Sequence, residues 1–300
     1  SAVESRKKIL GFIGLGAMGL PMAHNILSKS GETMFVYDVA ARQADSLVEH
    51  GAVLLSSQRE VLERSDVAFI CLPTNALVEE TLRLAMAALR PGACAVDFSS
   101  TAPRIIREAG EAGRLRGVHL VDAPVSGGTW GAREGTLSVM WGGGEAAGAI
   151  ALPYMQMVGA RVTHMGPGGS GALTKIVNNM VVGVHLGALA EGLAFAKKAG
   201  LDPARAFEAM RGGFAASAVM EAKAPLMLEH RFDAQARISV HLKDLANAMD
   251  TAAELGVTLP LSERVYRDML EMESLGLVHQ DQAGIVQVRE REMGVDLSEP

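Results

Sequence analysis

Cysteine and aromatic residues are both scarce in this chain of 300 residues. The two cysteines, Cys71 and Cys94, give no disulfide framework and no metal-ligand spacing, so we expect no bound metal. Aromatic residues make up only 4% of the chain, while hydrophobic residues make up 49%. The core is therefore built mainly of small and aliphatic side chains, which is typical of closely packed helices and a buried parallel sheet.

Clustered positive charge is also lacking. The net charge is −6 and no basic patch of useful length occurs, so a nucleic-acid partner is not expected. The N-terminal stretch 1–8 is polar and has no apolar signal region. Residues 176–196 are long and apolar but are interrupted by polar residues, namely Asn178, Asn179, His185 and Glu191. We therefore expect a cytoplasmic protein without a membrane span.

The first half of the chain alternates between strand and helix patterns. Strand-like runs lie near residues 8–13, 33–38, 67–72, 93–98 and 117–122, with amphipathic helix patterns between them. This alternation predicts right-handed crossovers and a parallel sheet covered by helices on both faces. Further strands near 136–141 and 160–164 are expected to extend that sheet.

The second half shows only helix patterns. After the glycine-rich turn 166–171, a long apolar helix is predicted over 172–199, and five shorter ones follow. The predicted fold is α/β: a Rossmann-like, doubly wound dinucleotide-binding domain over 1–165, followed by an all-α domain over 166–300. The apolar surface of the long helix predicts a homodimer or homotetramer.

A glycine triplet provides the first candidate site. Gly14, Gly16 and Gly19 have the G-x-G-x-x-G spacing, directly after a strand pattern and at the start of a helix pattern. In such a turn the first glycine permits the bend, the second lets a pyrophosphate approach, and the third lets the helix pack closely. The turn also contains Leu15, Ala17 and Met18. The alternative is a purely structural glycine turn.

Three further segments lie at the ends of predicted strands, at the edge where ligands bind in an open parallel sheet. The first two are Leu72-Pro73 and Ser99-Ser100-Thr101, and the hydroxyl groups of the second are candidate donors to a ribose or an amide. The third is Ser126-Gly127-Gly128, where backbone amides of a glycine turn can bind a carboxylate. Ordinary strand-end capping and a plain turn are the alternatives.

Polar residues on the long helix suggest catalysis. Lys175, Asn178 and Asn179 are spaced i, i+3 and i+4 and share one face of an otherwise apolar helix. Lysine is rarely buried unless it is paired or functional. A lysine beside a reacting carbonyl can stabilise the developing alkoxide and give it a proton.

In this order, these segments resemble the β-hydroxyacid dehydrogenase family over nearly the whole chain. The resemblance rests on four regions, residues 14–22, 122–128 with 135–137, 168–179, and 243–245. Within the family, residues 211–213, 222–225 and 241–248 are most similar to one semialdehyde-reducing branch. Branches acting on other 3-hydroxy acids are less similar there, and Gln282-Ala283 departs from the usual pattern.

The resemblance implies roles for individual residues. Lys175 is expected to be the catalytic lysine, Ser126, Gly127 and Gly128 the carboxylate loop, and Asn179 the residue that orients the substrate. Lys243 is expected to close over the nicotinamide end of the cofactor. The implied reaction is the reversible oxidation of a small 3-hydroxy acid to its semialdehyde.

The cofactor follows from Asp38, at the end of the second strand pattern. A carboxylate there accepts hydrogen bonds from the adenosine ribose and repels a 2′-phosphate, which favours NAD, with NADP as the alternative because Arg42 lies nearby. Two rival functions remain: a dinucleotide-binding protein without catalysis, and imine reduction on the same fold. The presence of Lys175 counts against both.

Overall fold

The computed structural model describes residues 6–300, so the first five residues of the polar N-terminal stretch lie outside the described part. The chain divides into two compact units, one ending at Lys175 and one running from Ile176 to Pro300. The boundary predicted between residues 165 and 166 stays a prediction.

The described residues of the first unit form one sheet of nine strands. They are β1 (Ile9–Ile13), β2 (Thr33–Tyr37), β3 (Val53–Leu54), β4 (Val67–Ile70), β5 (Cys94–Asp97), β6 (His119–Asp122), β7 (Val125–Ser126), β8 (Leu137–Gly142) and β9 (Gly159–Gly166). The strand order is β3-β2-β1-β4-β5-β6-β8-β7, and β9 also pairs with β8. The first six strands are parallel, in the order of a doubly wound nucleotide-binding sheet. The predicted fold class is thereby confirmed.

The two further strands predicted near 136–141 and 160–164 extend the sheet as β8 and β9, but their directions differ. β8 runs antiparallel to both β6 and β7, and only β9 continues the sheet in parallel beside it. The connection between β7 and β8 explains this, because residues 127–136 are too few for the crossover of a dozen or more that parallel neighbours need.

Helices cover both faces of the sheet. The helices of the first unit are α1 (Gly19–Ser30), α2 (Asp45–Glu49), α3 (Gln58–Arg64), α4 (Asn75–Ala88), α5 (Pro103–Arg116), α6 (Gly128–Glu134) and α7 (Glu145–Val158). α1, α2 and α7 pack on one face, where they meet Leu10 and Phe12. α3, α4 and α5 pack on the opposite face, where they meet Ile13 and Ile70. Alternate strand residues therefore supply two separate cores.

The second unit is helical, as predicted. It contains most of α8 (Ser170–Lys198), then α9 (Pro203–Met210), α10 (Ala218–Leu228), α11 (Ile238–Leu255), α12 (Pro260–Ser274) and α13 (Val286–Met293). The last predicted helix, near 280–293, begins as a short 3-10 helix, Gln282–Ile285. Its core includes Leu186 and Leu193 of α8 together with residues of the other helices.

One helix among the described residues, α8, is long and apolar enough to cross a membrane by length and composition alone. A central helix of a folded domain passes the same test, so this finding by itself is weak evidence for a span. The expected absence of a membrane stays a prediction.

Candidate active site

The glycine turn between β1 and α1 requires glycine at two of its three positions. Gly14 has a φ of +97°, and a Cβ there would lie 2.1 Å from the carbonyl oxygen of Cys71. A Cβ at Gly19 would lie 2.1 Å from the carbonyl oxygen of Gly14. These two glycines therefore let α1 begin directly against the ends of β1 and β4.

Gly16 differs, because the space beside it is open. No atom lies within 4 Å of a Cβ built at Gly16, and α1 begins without a side-chain cap at Met18. Uncapped amides at a helix N-terminus attract anions, and a missing side chain lets a phosphate approach the backbone. The turn thus fits a dinucleotide pyrophosphate, with Ala17 exposed and Leu15 buried beneath it.

Asp38 is held beside this turn. Its Oδ2 accepts the Leu15 amide at 2.8 Å, and its Oδ1 accepts the Ala40 amide at 2.8 Å. The carboxylate is half-buried just after β2, which places it where an adenosine ribose binds in this fold. Arg42 is exposed in the short 3-10 helix that follows.

The structure brings the next two predicted segments together. The Leu72 amide donates to Ser99 Oγ at 2.9 Å, and the Ala102 amide donates to Asn75 Oδ1 at 3.1 Å. The loops after β4 and β5 are therefore joined at the carboxyl edge of the sheet. Pro73 is exposed in the first loop and Ser100 is half-buried in the second.

Two of the three hydroxyl groups suggested as ligand donors have bonds within the protein. Ser99 Oγ accepts from Leu72, and Thr101 Oγ1 donates to Asp97 Oδ2 at 2.6 Å. These two side chains shape the loop, which leaves Ser100 as the candidate ligand contact.

Asp97 is a buried carboxyl group under this loop. Burial raises its pKa to about 6, although hydrogen bonds from Thr101 and Ser99 act in the opposite direction. The nearby carboxylate of Asp122, the paired residue of β6, makes a smaller contribution to this rise in pKa. Sequence reasoning missed this pair, which is visible only once β5 and β6 are in register.

The predicted carboxylate-binding segment lies where β7 meets α6: Ser126 ends the strand and Gly128 begins the helix. Asp122 pairs with Gly142 and Ser126 pairs with Ser138, so the chain continues along β8 after β6 ends. Ser126 lies four residues beyond Asp122, roughly 13 Å further at the rise of a strand. Gly127 and Gly128 have φ values of +135° and +67° and are exposed.

Asp122 anchors the start of α8. Its Oδ1 accepts the Gly169 amide and its Oδ2 accepts the Ala172 amide, both at 2.9 Å. Burial raises the pKa of Asp122, against the effect of these amides. A Cβ at Gly171 would lie 2.7 Å from the Asp122 carbonyl oxygen, so glycine permits this close approach. Asp122 was expected only as the first residue of a motif, and its role as an anchor of α8 was not predicted.

Lys175 lies on α8 shortly after this anchor. It is half-buried and five residues after Ser170, about 8 Å along the helix axis. The first unit thus places Lys175 near the carboxyl ends of β5 and β6, through the Asp122 anchor.

The two asparagines form a hydrogen-bonded group in the second unit. Asn178 Nδ2 donates to Asn179 Oδ1 at 2.9 Å, and Asn179 Nδ2 donates to Asp244 Oδ2 at 2.5 Å. Asp244 is buried on α11, next to the half-buried Lys243. The contact between Asn179 and Asp244 was not predicted, since the two residues are 65 positions apart.

Outside this site, residues 6–300 contain a buried thiol and one group of side chains that could hold a metal. Burial raises the pKa of the Cys94 thiol to about 12, which makes it unreactive. One group has the proximity of metal ligands, His230 with Glu290 and Asp296. His230 Nε2 lies 2.7 Å from Glu290 Oε2, so these side chains already bond to each other. The predicted absence of a metal stays a prediction.

A doubly wound sheet with an open, uncapped glycine turn defines a Rossmann-type dinucleotide-binding protein, and comparison with known proteins narrows this class. Residues 9–166 match the NAD-binding domain of 6-phosphogluconate dehydrogenase. Residues 169–289 match the NAD-binding domain of NADP-dependent 3-hydroxyisobutyrate dehydrogenase. The chain belongs to the β-hydroxyacid dehydrogenase family, and it is an NAD(P)-dependent oxidoreductase acting on CH–OH groups.

Individual relatives cover most of the chain. A 2-hydroxy-3-oxopropionate reductase of Escherichia coli (strain K12) is 41% identical over 256 residues, 84% of this chain and 86% of that protein. A 2-(hydroxymethyl)glutarate dehydrogenase of Eubacterium barkeri is 33% identical over 96% of this chain and 97% of its own. A solved structure of Mycobacterium tuberculosis 3-hydroxyisobutyrate dehydrogenase with L-serine has a TM-score of 0.87 at 28% identity, covering 94% of this chain and 99% of that one.

The glycine turn gives a matched pair of substitutions. Gly16→Ala adds a methyl group in open space, so we expect an unchanged melting temperature but an NADH affinity weakened about tenfold or more. Gly19→Ala forces Gly14 and α1 apart, so it should also cost about 1–3 kcal/mol of stability. Calorimetry and NADH titration measure both effects. Full NADH affinity in Gly16→Ala would show that no phosphate rests there.

Asp97 generates a prediction about pH. Because its folded pKa is about 6, above the unfolded value, its stabilising contribution is complete below about pH 4 and is lost as pH rises through 6. Asp97→Asn keeps an acceptor oxygen but never ionises. Relative to this variant, the native chain should lose about 2 kcal/mol of unfolding free energy between pH 4 and pH 7.

Thermal unfolding across this pH range measures the difference. The exposed Asp250→Asn serves as the control and should follow the native chain throughout. If the difference in unfolding free energy between the native chain and Asp97→Asn does not change with pH, this would contradict the raised pKa of Asp97.

Proposed function

We propose that this enzyme reduces tartronate semialdehyde, 2-hydroxy-3-oxopropionate, to the corresponding 3-hydroxy acid, with the reverse oxidation also accessible. The observation that carries the reaction type is the half-buried Lys175, placed on α8 just after the Asp122 anchor. The substrate is supported by the 41% identity to the Escherichia coli reductase named for it. 3-Hydroxyisobutyrate and threonate are the alternative 3-hydroxy acids, and the fold match to a 3-hydroxyisobutyrate dehydrogenase favours the former.

In the proposed mechanism Lys175 acts on the substrate oxygen. The bound nicotinamide supplies or accepts the hydride. As the carbonyl is reduced, its oxygen gains negative charge, which the Lys175 ammonium stabilises by a hydrogen bond and then neutralises by giving up a proton. In the reverse direction the neutral amine takes the proton from the hydroxyl group.

The substrate carboxylate is assigned to the loop of Ser126, Gly127 and Gly128. The exposed backbone of the two glycines and the Ser126 hydroxyl offer donors beyond the sheet edge. Asn179 is assigned to orient the substrate, and Lys243 to contact the nicotinamide end. Leu72, Pro73 and Ser100 are assigned to the cofactor, together with the glycine turn.

NAD is the proposed cofactor in preference to NADP. Asp38 is fixed by two backbone amides, so its charge stays where a ribose 2′-phosphate would have to bind. We further propose a homo-oligomer located in the cytoplasm. On α8, Val177 and Val181 are each 51% exposed and Phe195 is 64% exposed, an apolar face that a second copy would cover. A native mass of one chain, 31.6 kDa, would contradict the oligomer.

The proposed function is tested with a panel of substrates. Tartronate semialdehyde, methylmalonate semialdehyde and a cyclic imine are each offered with NADH and with NADPH. We expect the highest kcat/KM for tartronate semialdehyde with NADH, and NADPH poorer by about tenfold or more because of Asp38. Turnover of the imine alone, or of nothing while NADH binds, would favour imine reduction or a non-catalytic role instead.

The role of Lys175 is tested by Lys175→Met, which keeps the length of the side chain but removes its charge. Turnover should fall at least about a hundredfold, the usual contribution of general acid–base catalysis, while NADH affinity is retained. Lys198→Met, at the exposed end of the same helix, is the matched control and should behave like the native chain. Undiminished turnover in Lys175→Met would overturn the assignment.

A further inference from the structure

Asn179 is held by α11 at two places. Its side-chain Nδ2 donates to Asp244 Oδ2 at 2.5 Å, and its main-chain oxygen lies 2.8 Å from His241 Nε2. His241 and Asp244 are three residues apart and so share one face of α11. Both are buried, with His241 only 2% exposed. One residue of α8 is therefore fixed in both its backbone and its side chain.

The hydrogen bonds define how the imidazole is oriented. A carbonyl oxygen only accepts, so His241 Nε2 carries the proton that points at Asn179. Gln282 Nε2 lies 2.8 Å from His241 Nδ1 and donates to it. Gln282 thereby completes the imidazole's hydrogen bonding and fixes the plane of its ring. Gln282 directly precedes Ala283, the position at which the sequence departs from the family pattern.

A glycine on α8 makes the contact with His241 sterically feasible. In a regular helix the Asn179 carbonyl also accepts the amide of Gly183, one turn later. A Cβ at Gly183 would lie 3.3 Å from His241 Nε2, tighter than ordinary packing. Without that Cβ, the imidazole reaches a backbone oxygen that a larger residue would crowd.

Gln282 is itself anchored by its neighbour. Asp281 is fully buried and binds Lys223 Nζ at 3.0 Å through both of its oxygens. It also accepts the Ala236 and Ala283 amides, which fixes the start of the 3-10 helix that carries Gln282. The hydrogen-bonded chain thus runs from a buried ion pair through Gln282 and His241 to Asn179.

We propose that His241, oriented by Gln282, is a positioning residue for Asn179, and that it acts on the substrate only through that asparagine. This inference rests on the proposed role of Asn179 in orienting the substrate. An amide has two donor hydrogens and two acceptor sites, and the bonds to Asp244 and Asn178 use one of each. In the proposal, the second donor and acceptor of this amide bind the hydroxy acid, and the contacts from α11 hold the amide in place for it.

Two substitutions interrupt the chain of contacts at different points. His241→Leu removes the donor to Asn179, and it should lower kcat/KM for the semialdehyde about tenfold while the Kd of NADH stays within about twofold of the native value. Gln282→Ala leaves the imidazole in place but loosens it, so a smaller loss in the same direction is expected. His241→Gln, which retains a donor nitrogen, should recover part of the activity.

The matched control is Gln287→Ala. Gln287 Nε2 donates to Gln280 Oε1 and to the Gly284 carbonyl oxygen, so it supports the same 3-10 helix by another route. This variant should keep native kcat/KM. A loss as large as that of Gln282→Ala would show that the 3-10 helix acts only as a structural support, and would overturn the positioning role.

The decisive comparison repeats both substitutions in an Asn179→Ala background. If His241 acts through the Asn179 side chain, His241→Leu and Gln282→Ala should change kcat/KM there by less than about twofold. Should either reduce kcat/KM by the same factor in both backgrounds, the inference is wrong. If His241→Leu does not fold, Gln282→Ala alone gives the same comparison. Native kcat/KM in Asn179→Ala itself would instead remove the proposed role of Asn179, and with it this inference.

Discussion

The carboxylate of Asp122 is the interaction on which the candidate site depends. It ends β6 and accepts the amides of Gly169, just before α8, and of Ala172, in the first turn of α8, across 47 and 50 positions of sequence. Burying a carboxylate is costly, and the helix N-terminus offsets that cost with aligned amides and the positive end of its dipole. Because Lys175 follows Ala172 by three residues on the same helix, this anchor also fixes the position of its backbone relative to the end of β6.

α8 carries two candidate functional residues, Lys175 at the end of the first unit and Asn179 near the start of the second. They are four residues apart in sequence, the spacing of one helical turn. α11 adds Asp244 and His241, which bind the side chain and the backbone of Asn179. Sites carried by helices in this way hold their groups more precisely than loops do.

Strong local patterns made much of the fold predictable. The alternation of the first half and the helical periodicity of the second reflect burial on one face of each element, which a single sequence records. The antiparallel direction of β8 was not predicted, because it depends on whether residues 127–136 are long enough to cross the sheet. The glycine turn was predictable because its steric demands, at Gly14 and Gly19, are local.

Most unpredicted contacts of the site depend on distant partners. Ser99 and Thr101 were candidate ligand donors, with strand-end capping as the alternative. Ser99 accepts from Leu72, 27 positions away, whereas Thr101 donates to Asp97, only four residues before it. The link between Gln282 and His241 spans 41 positions and involves residue types that are common in structural roles. A single sequence carries no signal for such pairs, since each partner alone resembles an ordinary polar residue in a helix or a turn.

A crystal structure of the protein with oxidised cofactor and a non-reactive hydroxy acid would test the central claim most directly. We predict Lys175 Nζ within about 3 Å of the analogue's hydroxyl oxygen, with Asp122 still bound to the Gly169 and Ala172 amides. An analogue whose hydroxyl oxygen is bound by another group, with Lys175 turned away from it, would contradict the account.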